Sequence, residues 1–222
     1  MDRRRRISLA YRDAVLATNP VAYWRLGEAS GTVARDEIGA NNGTYVGSPT
    51  LGVAGLLSGD ANTAVTFAAV GSLVSVADSS PFRFVGSAPF SIAMWSDHGA
   101  DASYKYVLGC VNGTGVGWAV RGTPSGFGCA RGAESVITAS YASGSHLVVM
   151  TYDGTTLRAF LDGAQSGSPV ASGSALPSDS TFYLGYSIFN GSSGSTLDEP
   201  VVWNRALTPA ENAGLYAAGM GR

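Results

Sequence analysis

From His146 to Gly163 the side chains alternate with a period of two. Val148, Met150 and Tyr152 fall on one side of the first arm, and Leu147, Val149 and Thr151 on the other. Beyond Asp153-Gly154, Leu157, Ala159 and Leu161 alternate with Arg158, Phe160 and Asp162, and Asp162-Gly163 ends the segment. Period-two patterning on both arms of a short turn predicts an antiparallel hairpin. Glycine accepts positive φ at the turns, and the aspartate carboxylates can bond nearby backbone amides. Both faces of the first arm are apolar or nearly so, which places it at the centre of a sandwich beneath a second sheet.

The same period recurs along the chain. In VAYWRLG, Ala22, Trp24 and Leu26 share one face and Val21, Tyr23 and Arg25 the other, making Trp24 a candidate core anchor. TAVTF, SLVSVAD, PFSIAMWS, STFYLGYS and STLDEPVVW read as further strands, and short strands with Gly-rich turns fill Tyr104 to Tyr141. Two stretches break the pattern. Ile7, Ala10, Tyr11, Ala14 and Val15 follow the spacing of an apolar helix face, and Asn19-Pro20 should end that helix. Thr208-Pro209-Ala210-Glu211 has the form of a capping box with proline at the first helical position. The helix that follows should lay Ala213, Tyr216 and Ala217 on the sandwich, with Gly214 weakening it and Gly219 ending it. The pattern predicts an all-β, two-sheet antiparallel sandwich over residues 21–222, closed by a short C-terminal helix. Residues 1–20 form a basic arm plus a short amphipathic N-terminal helix.

Composition narrows the picture. Thirty glycines and nine prolines scattered over 222 residues fit many short strands joined by tight turns in one domain. No apolar run approaches the roughly 20 residues of a membrane span. The net charge is −2, but residues 1–6 hold four arginines and one aspartate, so a tip of +3 precedes a body of −5. Arg3, Arg4, Arg5 and Arg6 could meet phosphates, an acidic membrane surface or an acidic protein groove, or form a solvated tail. The acidic body and the lack of interleaved aromatics argue against nucleic acid. With the apolar face behind them, Arg3–Arg6, Ile7, Tyr11 and Val15 make a candidate protein anchor. Arg12 and Asp13 interrupt the apolar core an export signal needs, so none is expected. Cys110 and Cys129 are too few for a disulfide framework or a Cys-type zinc site. They read as two buried thiols, or as a pair if their strands are neighbours.

AYWRLGE, ARDEIGANNGTYVG, HLVVMTYDGTTLRAFLDG, FYLGYS and LDEPVVWNRALTPAENAGLY follow one another in an order and spacing that resembles the laminin G-like jelly-roll modules of the concanavalin A-like lectin and glucanase superfamily. The resemblance spans roughly Val21 to Ala218. Gly144 and Ser145 stand where such modules often carry a tryptophan. It implies a jelly roll of two curved sheets with about six strands each. It also implies a binding or adhesion role toward sugars or proteins, with calcium held in the rim loops of some members. Modules with a helix before the AYWRLGE-like strand also resemble components of tailed-phage particles. That resemblance implies a virion protein, a capsid-decorating or minor tail component made in the bacterial cytoplasm, whose partners are capsid or tail proteins and host surface polysaccharide. The alternative is a free carbohydrate-binding module, calcium-dependent or not.

Candidate chemistry is sparse. Glucanases of this superfamily place their carboxylates at alternate strand positions, whereas Asp198 and Glu199 are adjacent and should point to opposite faces. No catalytic residue is therefore expected. His98 and His146 stand in no metal-ligand spacing and beside no nucleophile elbow. For calcium, which needs six or more oxygens, Asp36, Asn41 and Asn42 offer donors. The resemblance implies that Asp198 lies beside them. The bland reading of that loop is a set of turn formers. Asp97, Asp101, Tyr104 and Tyr106 form a candidate sugar-binding group.

Overall fold

The structure is a computed structural model that describes residues 11–97, 105–123, 126–138, 144–186 and 194–221, with the side chains of Lys105 and Tyr106 excepted. Residues 11–17 form helix α1. The strands follow in chain order: β1 (Ala22–Tyr23), β2 (Val33–Ala34), β3 (Gly43–Val46), β4 (Thr50–Ala54), β5 (Thr63–Thr66) and β6 (Leu73–Val76). Next come β7 (Phe90–Asp97), β8 (Lys105–Val111), β9 (Gly117–Thr123), β10 (Gly126–Arg131), β11 (Glu134–Ile137) and β12 (His146–Tyr152). The series ends with β13 (Thr156–Leu161), β14 (Ala164–Gln165), β15 (Val170–Ala171), β16 (Thr181–Leu184) and β17 (Thr196–Trp203), before helix α2 (Pro209–Gly219).

These strands build two antiparallel sheets, the jelly-roll sandwich. The first has the order β14-β13-β12-β7-β17-β5-β4, with β1 on β17 and β15 on β13. The second runs β11-β10-β9-β8-β16-β6-β3-β2. With nine and eight strands they exceed the expected six or so each, because two-residue segments such as β2, β14 and β15 add to the edges. The hairpin is β12–β13, in the register Val148↔Leu161 to Tyr152↔Leu157, and β12 also pairs along its length with β7.

Alternation decides what each face meets. Val148, Met150 and Tyr152 enter the core between the sheets, together with Ile92, Met94, Leu197 and Val202. From the facing sheet come Trp118, Val120, Phe127, Phe182 and Leu184. Trp24 is fully buried there, stacked on Phe182 at 5.3 Å, and its indole N–H donates to Asn41 O at 2.9 Å.

The other face of β12 does not meet a second sheet. Leu147 and Val149 join Ala93, Trp95, Phe160, Val201 and Trp203 in a separate cluster, which Tyr11 and Val15 of α1 and Leu215 of α2 help to build. Tyr11 and Val15 are fully buried. Within the described residues the apolar stripe of the N-terminal helix, Tyr11 and Val15, is therefore spent on the protein's own sandwich, and these two side chains are not surface open to a partner. Trp203 Nε1 donates to Thr18 Oγ1 at 2.8 Å and Arg205 Nη2 to Thr18 O at 3.0 Å, tying the end of α1 to the end of β17. The chain leaves the helix through Asn19 at φ +54°, a conformation asparagine tolerates.

The capping box at Thr208 is present: Glu211 N donates to Thr208 Oγ1 at 3.2 Å and Thr208 N to Glu211 Oε2 at 2.7 Å. The buried positions of α2 are Asn212, Leu215 and Gly219, with Tyr216 stacked on Trp95 at 5.9 Å. Ala213, expected on that face, is exposed. Gly219 is the last residue of the helix, and it abuts the Trp95 indole. Cys110 and Cys129 are buried free thiols on β8 and β10, with β9 between them. Burial pushes both thiols up to about 12.

Candidate functional site

The site grows out of an irregularity in β17. Regular pairing with β7 runs from Thr196 to Asp198 and resumes at Val201, so Glu199 and Pro200 form a bulge. Glu199 takes φ +56°, left-handed backbone that costs a non-glycine residue about 1–3 kcal/mol and persists only where surrounding contacts over-determine it. Proline supplies no N–H to a ladder, which is why strand prolines sit at edges or bulges.

The bulge overturns the expectation that Asp198 and Glu199 point to opposite faces. Both carboxylates are buried, at 1% and 0% exposure, and turn into one polar cluster. Asn62 Nδ2 reaches both, at 3.4 Å to Asp198 Oδ1 and 3.2 Å to Glu199 Oε1, and donates to Arg25 O at 2.7 Å. Arg25 meets Glu199 Oε1 at 2.9 Å and Asp60 Oδ2 at 3.0 Å. Tyr23 Oη donates to Glu199 Oε2, and Leu56 N donates to Asp198 Oδ2 at 2.9 Å. The Asp60 carboxylate, 1% exposed, also accepts from Asn62 N at 2.8 Å.

Three buried carboxyls thus face one guanidinium. Charge that burial strips of water must be paired or neutralised, so burial favours the protonated forms of Asp198 and Glu199. Burial pushes the Glu199 carboxyl up; Arg25 and the Tyr23 hydroxyl pull it down, and it sits at about 7. Burial, reinforced by the Glu199 charge, raises Asp198 well above the usual carboxylate range. Burial alone would lower the Arg25 guanidinium, but Glu199 outweighs it and holds Arg25 above its ordinary value. Burial and the Glu199 charge raise the Tyr11 and Tyr23 phenols.

Over this cluster opens a cleft of about 290 Å³, lined by Arg25, Gly27, Glu28, Arg35, Glu37 and Asn62. Arg25 and Asn62 belong to both, so the buried carboxylates fix the cleft floor. Glu28 is held by Arg35 N at 2.9 Å and the Tyr45 hydroxyl at 2.7 Å, and Glu37 by Arg12 Nε at 2.7 Å. Glycine at position 27 leaves room for Asn62, whose Oδ1 a Cβ there would overlap. The wall is a set of planar polar groups, two guanidinium and two carboxylate, with the Asn62 side amide beside them. Asp198 and Glu199 lie beneath it and do not line it.

Asp36 and Asp198, expected as calcium ligands, are engaged by nitrogen donors, and Asn41 meets Asp36 through its amide nitrogen. Asp36 Oδ1 accepts from Tyr23 N at 2.8 Å and Ile38 N at 3.0 Å, and Oδ2 from Asn41 N at 2.9 Å and Asn41 Nδ2 at 3.1 Å. Asn42 Oδ1 accepts from Asp36 N at 2.8 Å. Nitrogen donors occupy these oxygens, so the loop is a turn closed on itself, while Asp198 answers to Leu56 and Asn62. Among the described residues no group of three His, Cys, Asp or Glu side chains is arranged to hold a metal ion.

Of the other expected groups, Arg3, Arg4, Arg5, Arg6, Ile7, His98, Asp101 and Tyr104 lie outside the described residues, as does the Tyr106 side chain. Asp97 ends β7 opposite Thr196. His146 opens β12, with Nδ1 2.7 Å from Asp162 Oδ2. The residues of the buried cluster and its cleft escape a reading of the sequence because Arg25 reads as the polar face of a strand and Asp60 and Asn62 stand in an aperiodic turn. Pro200 inside the strand was the one signal of the bulge.

Comparison with known proteins fits this architecture. The model of the Concanavalin A-like lectin/glucanases superfamily matches residues 68–211, more than half of the chain. The protein belongs to that superfamily. A search among curated proteins finds no significant match. Among solved structures, Trypanosoma rangeli sialidase superposes with a TM-score of 0.67 at 19% identity, over 90% of this chain and 32% of that one. The binding domain of botulinum neurotoxin serotype D superposes with a TM-score of 0.68 at 9% identity, over 91% of this chain and 52% of that one. The chain thus spans about a third and about half of these two chains, and the likeness is one of fold. Among the described residues no helix is long and apolar enough to cross a membrane.

Proposed function

We propose that this protein is a non-catalytic carbohydrate-binding module and that its ligand sits in the Arg25–Glu28–Arg35–Glu37–Asn62 cleft. The observation that carries this reading is a wall of planar polar side chains in which Arg25 and Asn62 are fixed from below by the buried carboxyls and Glu28 by the Tyr45 hydroxyl. Guanidinium and carboxylate forks bond neighbouring hydroxyls in pairs, and groups already fixed by buried partners lose little entropy on binding. The superfamily supports it, as does the similar fold of the botulinum neurotoxin serotype D binding domain. The buried carboxylates serve as scaffold in this reading, since neither lines the cleft.

The test is affinity electrophoresis through gels containing soluble plant, fungal or bacterial polysaccharides. The native protein should be retarded by at least one of them. Arg35→Ala and Glu37→Ala, both exposed positions, should lose retardation at unchanged Tm. A protein retarded by none, or variants retarded equally, would contradict the assignment. Attachment to a phage particle is a separate proposal, which rests on Arg3–Arg6 and Ile7, because Tyr11 and Val15 are committed to the protein's own core. It predicts co-sedimentation with particles that is lost on removing residues 1–7.

A further inference from the structure

A second cavity, of about 260 Å³, lies beside the cleft along the same stretch of chain, residues 27–32. Gly27 and Glu28 line the cleft, and Gly31 and Thr32 line the second cavity. Tyr45, Pro49 and Leu51 form its apolar wall, with Ser48 and Thr32 supplying hydroxyls. The link between the two is one hydrogen bond, from the Tyr45 hydroxyl, on the second cavity, to Glu28 Oε2, on the cleft, at 2.7 Å. Tyr45 N also donates to Thr32 O at 2.9 Å and Arg35 N to Glu28 Oε1 at 2.9 Å, so the intervening loop is fastened at both ends.

Size and chemistry join the two. Each cavity alone falls just below the roughly 300–1,000 Å³ usual for ligand pockets, and together they fall inside it. The cleft offers polar forks for ring hydroxyls. The second cavity offers the half-buried Pro49 ring and Leu51, with the edge of the largely buried Tyr45 behind them, surfaces suited to the C–H face of a sugar ring. The cleft wall carries two guanidinium and two carboxylate groups, which balance.

We infer that the two cavities are the two halves of one groove for an uncharged oligosaccharide of at least two units, its glycosidic link crossing the Glu28–Tyr45 hydrogen bond. This rests on the carbohydrate-binding reading and adds to it the charge and minimum length of the ligand. A single unit fills only the polar half. The second unit gains the Tyr45, Pro49 and Leu51 surface.

The experiment is calorimetric titration of the native protein with gluco-, xylo-, manno- and the charged galacturono-oligosaccharides of one to four units, with saturation-transfer NMR for the weak single units. Affinity in the series that binds should rise at least tenfold from one unit to two or three and then level off. Thr32→Arg, an exposed change that fills the second cavity, should reduce longer ligands to single-unit affinity without altering the single unit. Leu51→Ser, a milder change, should lower only the longer ligands. Affinity independent of length, or a Thr32→Arg protein that binds longer ligands as the native does, would overturn the groove and leave the cleft assignment standing. Binding of charged saccharides alone would overturn the neutral-ligand inference. Absence of binding to every member, together with absence of retardation by any polysaccharide, would overturn both.

Discussion

Asp198 and Glu199, neighbours in β17, turn their carboxyls to the same side amide: Asn62 Nδ2 lies 3.4 Å from one and 3.2 Å from the other. A regular strand would hold them on opposite faces of the sheet. The bulge instead gathers them with Asp60 around Arg25, and that gathering positions two groups of the cleft wall.

The first prediction concerns pH. Glu199 sits at about 7 in the fold against an ordinary value of 4.5, so the folded state holds its proton where the unfolded chain has released it. Its contribution is fully present below about 4.5 and is lost as pH rises through about 7. The span is roughly 3 kcal/mol, reduced by whatever relaxation the cluster allows. Asp198, also raised, acts in the same direction. Thermal unfolding should show Tm falling from pH 5 to pH 7.5, and Glu199→Gln should flatten that slope. A Tm that rises across the window, or an unchanged slope in the variant, would refute the proton-holding cluster.

Gly27→Ala tests the fit of the cleft floor. The added Cβ would overlap Asn62 Oδ1, and Asn62 cannot withdraw without breaking its bond to Arg25 O. Overpacking of this kind costs about 1–3 kcal/mol. Denaturant unfolding should show that loss, and a large part of it should vanish when Asn62→Gly is combined with Gly27→Ala.

Much of the architecture was legible because it is periodic. The β12–β13 hairpin, the strands ending in Asp97 and Trp203 and the capping box at Thr208 follow from alternation, turn dipeptides and cap chemistry. What covers the outer face of β12 was not legible, since an apolar strand face looks the same beneath a helix as beneath a sheet. The stripe of Tyr11 and Val15 therefore read as a docking surface, although it closes the protein's own core. The carboxylate cluster was hidden for a different reason. Counting by twos assumes an unbroken ladder, and only Pro200 hinted that the ladder breaks.

Tyr11→Ala separates those two readings of the helix. Fully buried against Trp95 at a ring distance of 6.3 Å, Tyr11 should cost roughly 3–5 kcal/mol on truncation, as buried aromatics do. Equilibrium unfolding in urea measures it. A variant as stable as the native protein would return the helix face to the surface.

At Gly219 two effects oppose each other. Alanine is favoured over glycine within a helix by about 1 kcal/mol. The Cβ, however, would overlap the Trp95 ring, where overpacking costs about 1–3 kcal/mol. Gly219→Ala should therefore destabilise, with a change in tryptophan fluorescence as the indole moves. A higher Tm would show that the contact yields without cost.

The central claim, that carbohydrate binds over the buried cluster, is tested most directly by mapping amide chemical shifts during titration with an oligosaccharide from the polysaccharide that retards the protein. The account predicts saturable shifts at Gly27, Glu28, Arg35, Glu37 and Asn62. Shifts confined instead to the far sheet, around the half-buried pair Tyr183 and Tyr186 with rings 4.9 Å apart, would contradict it.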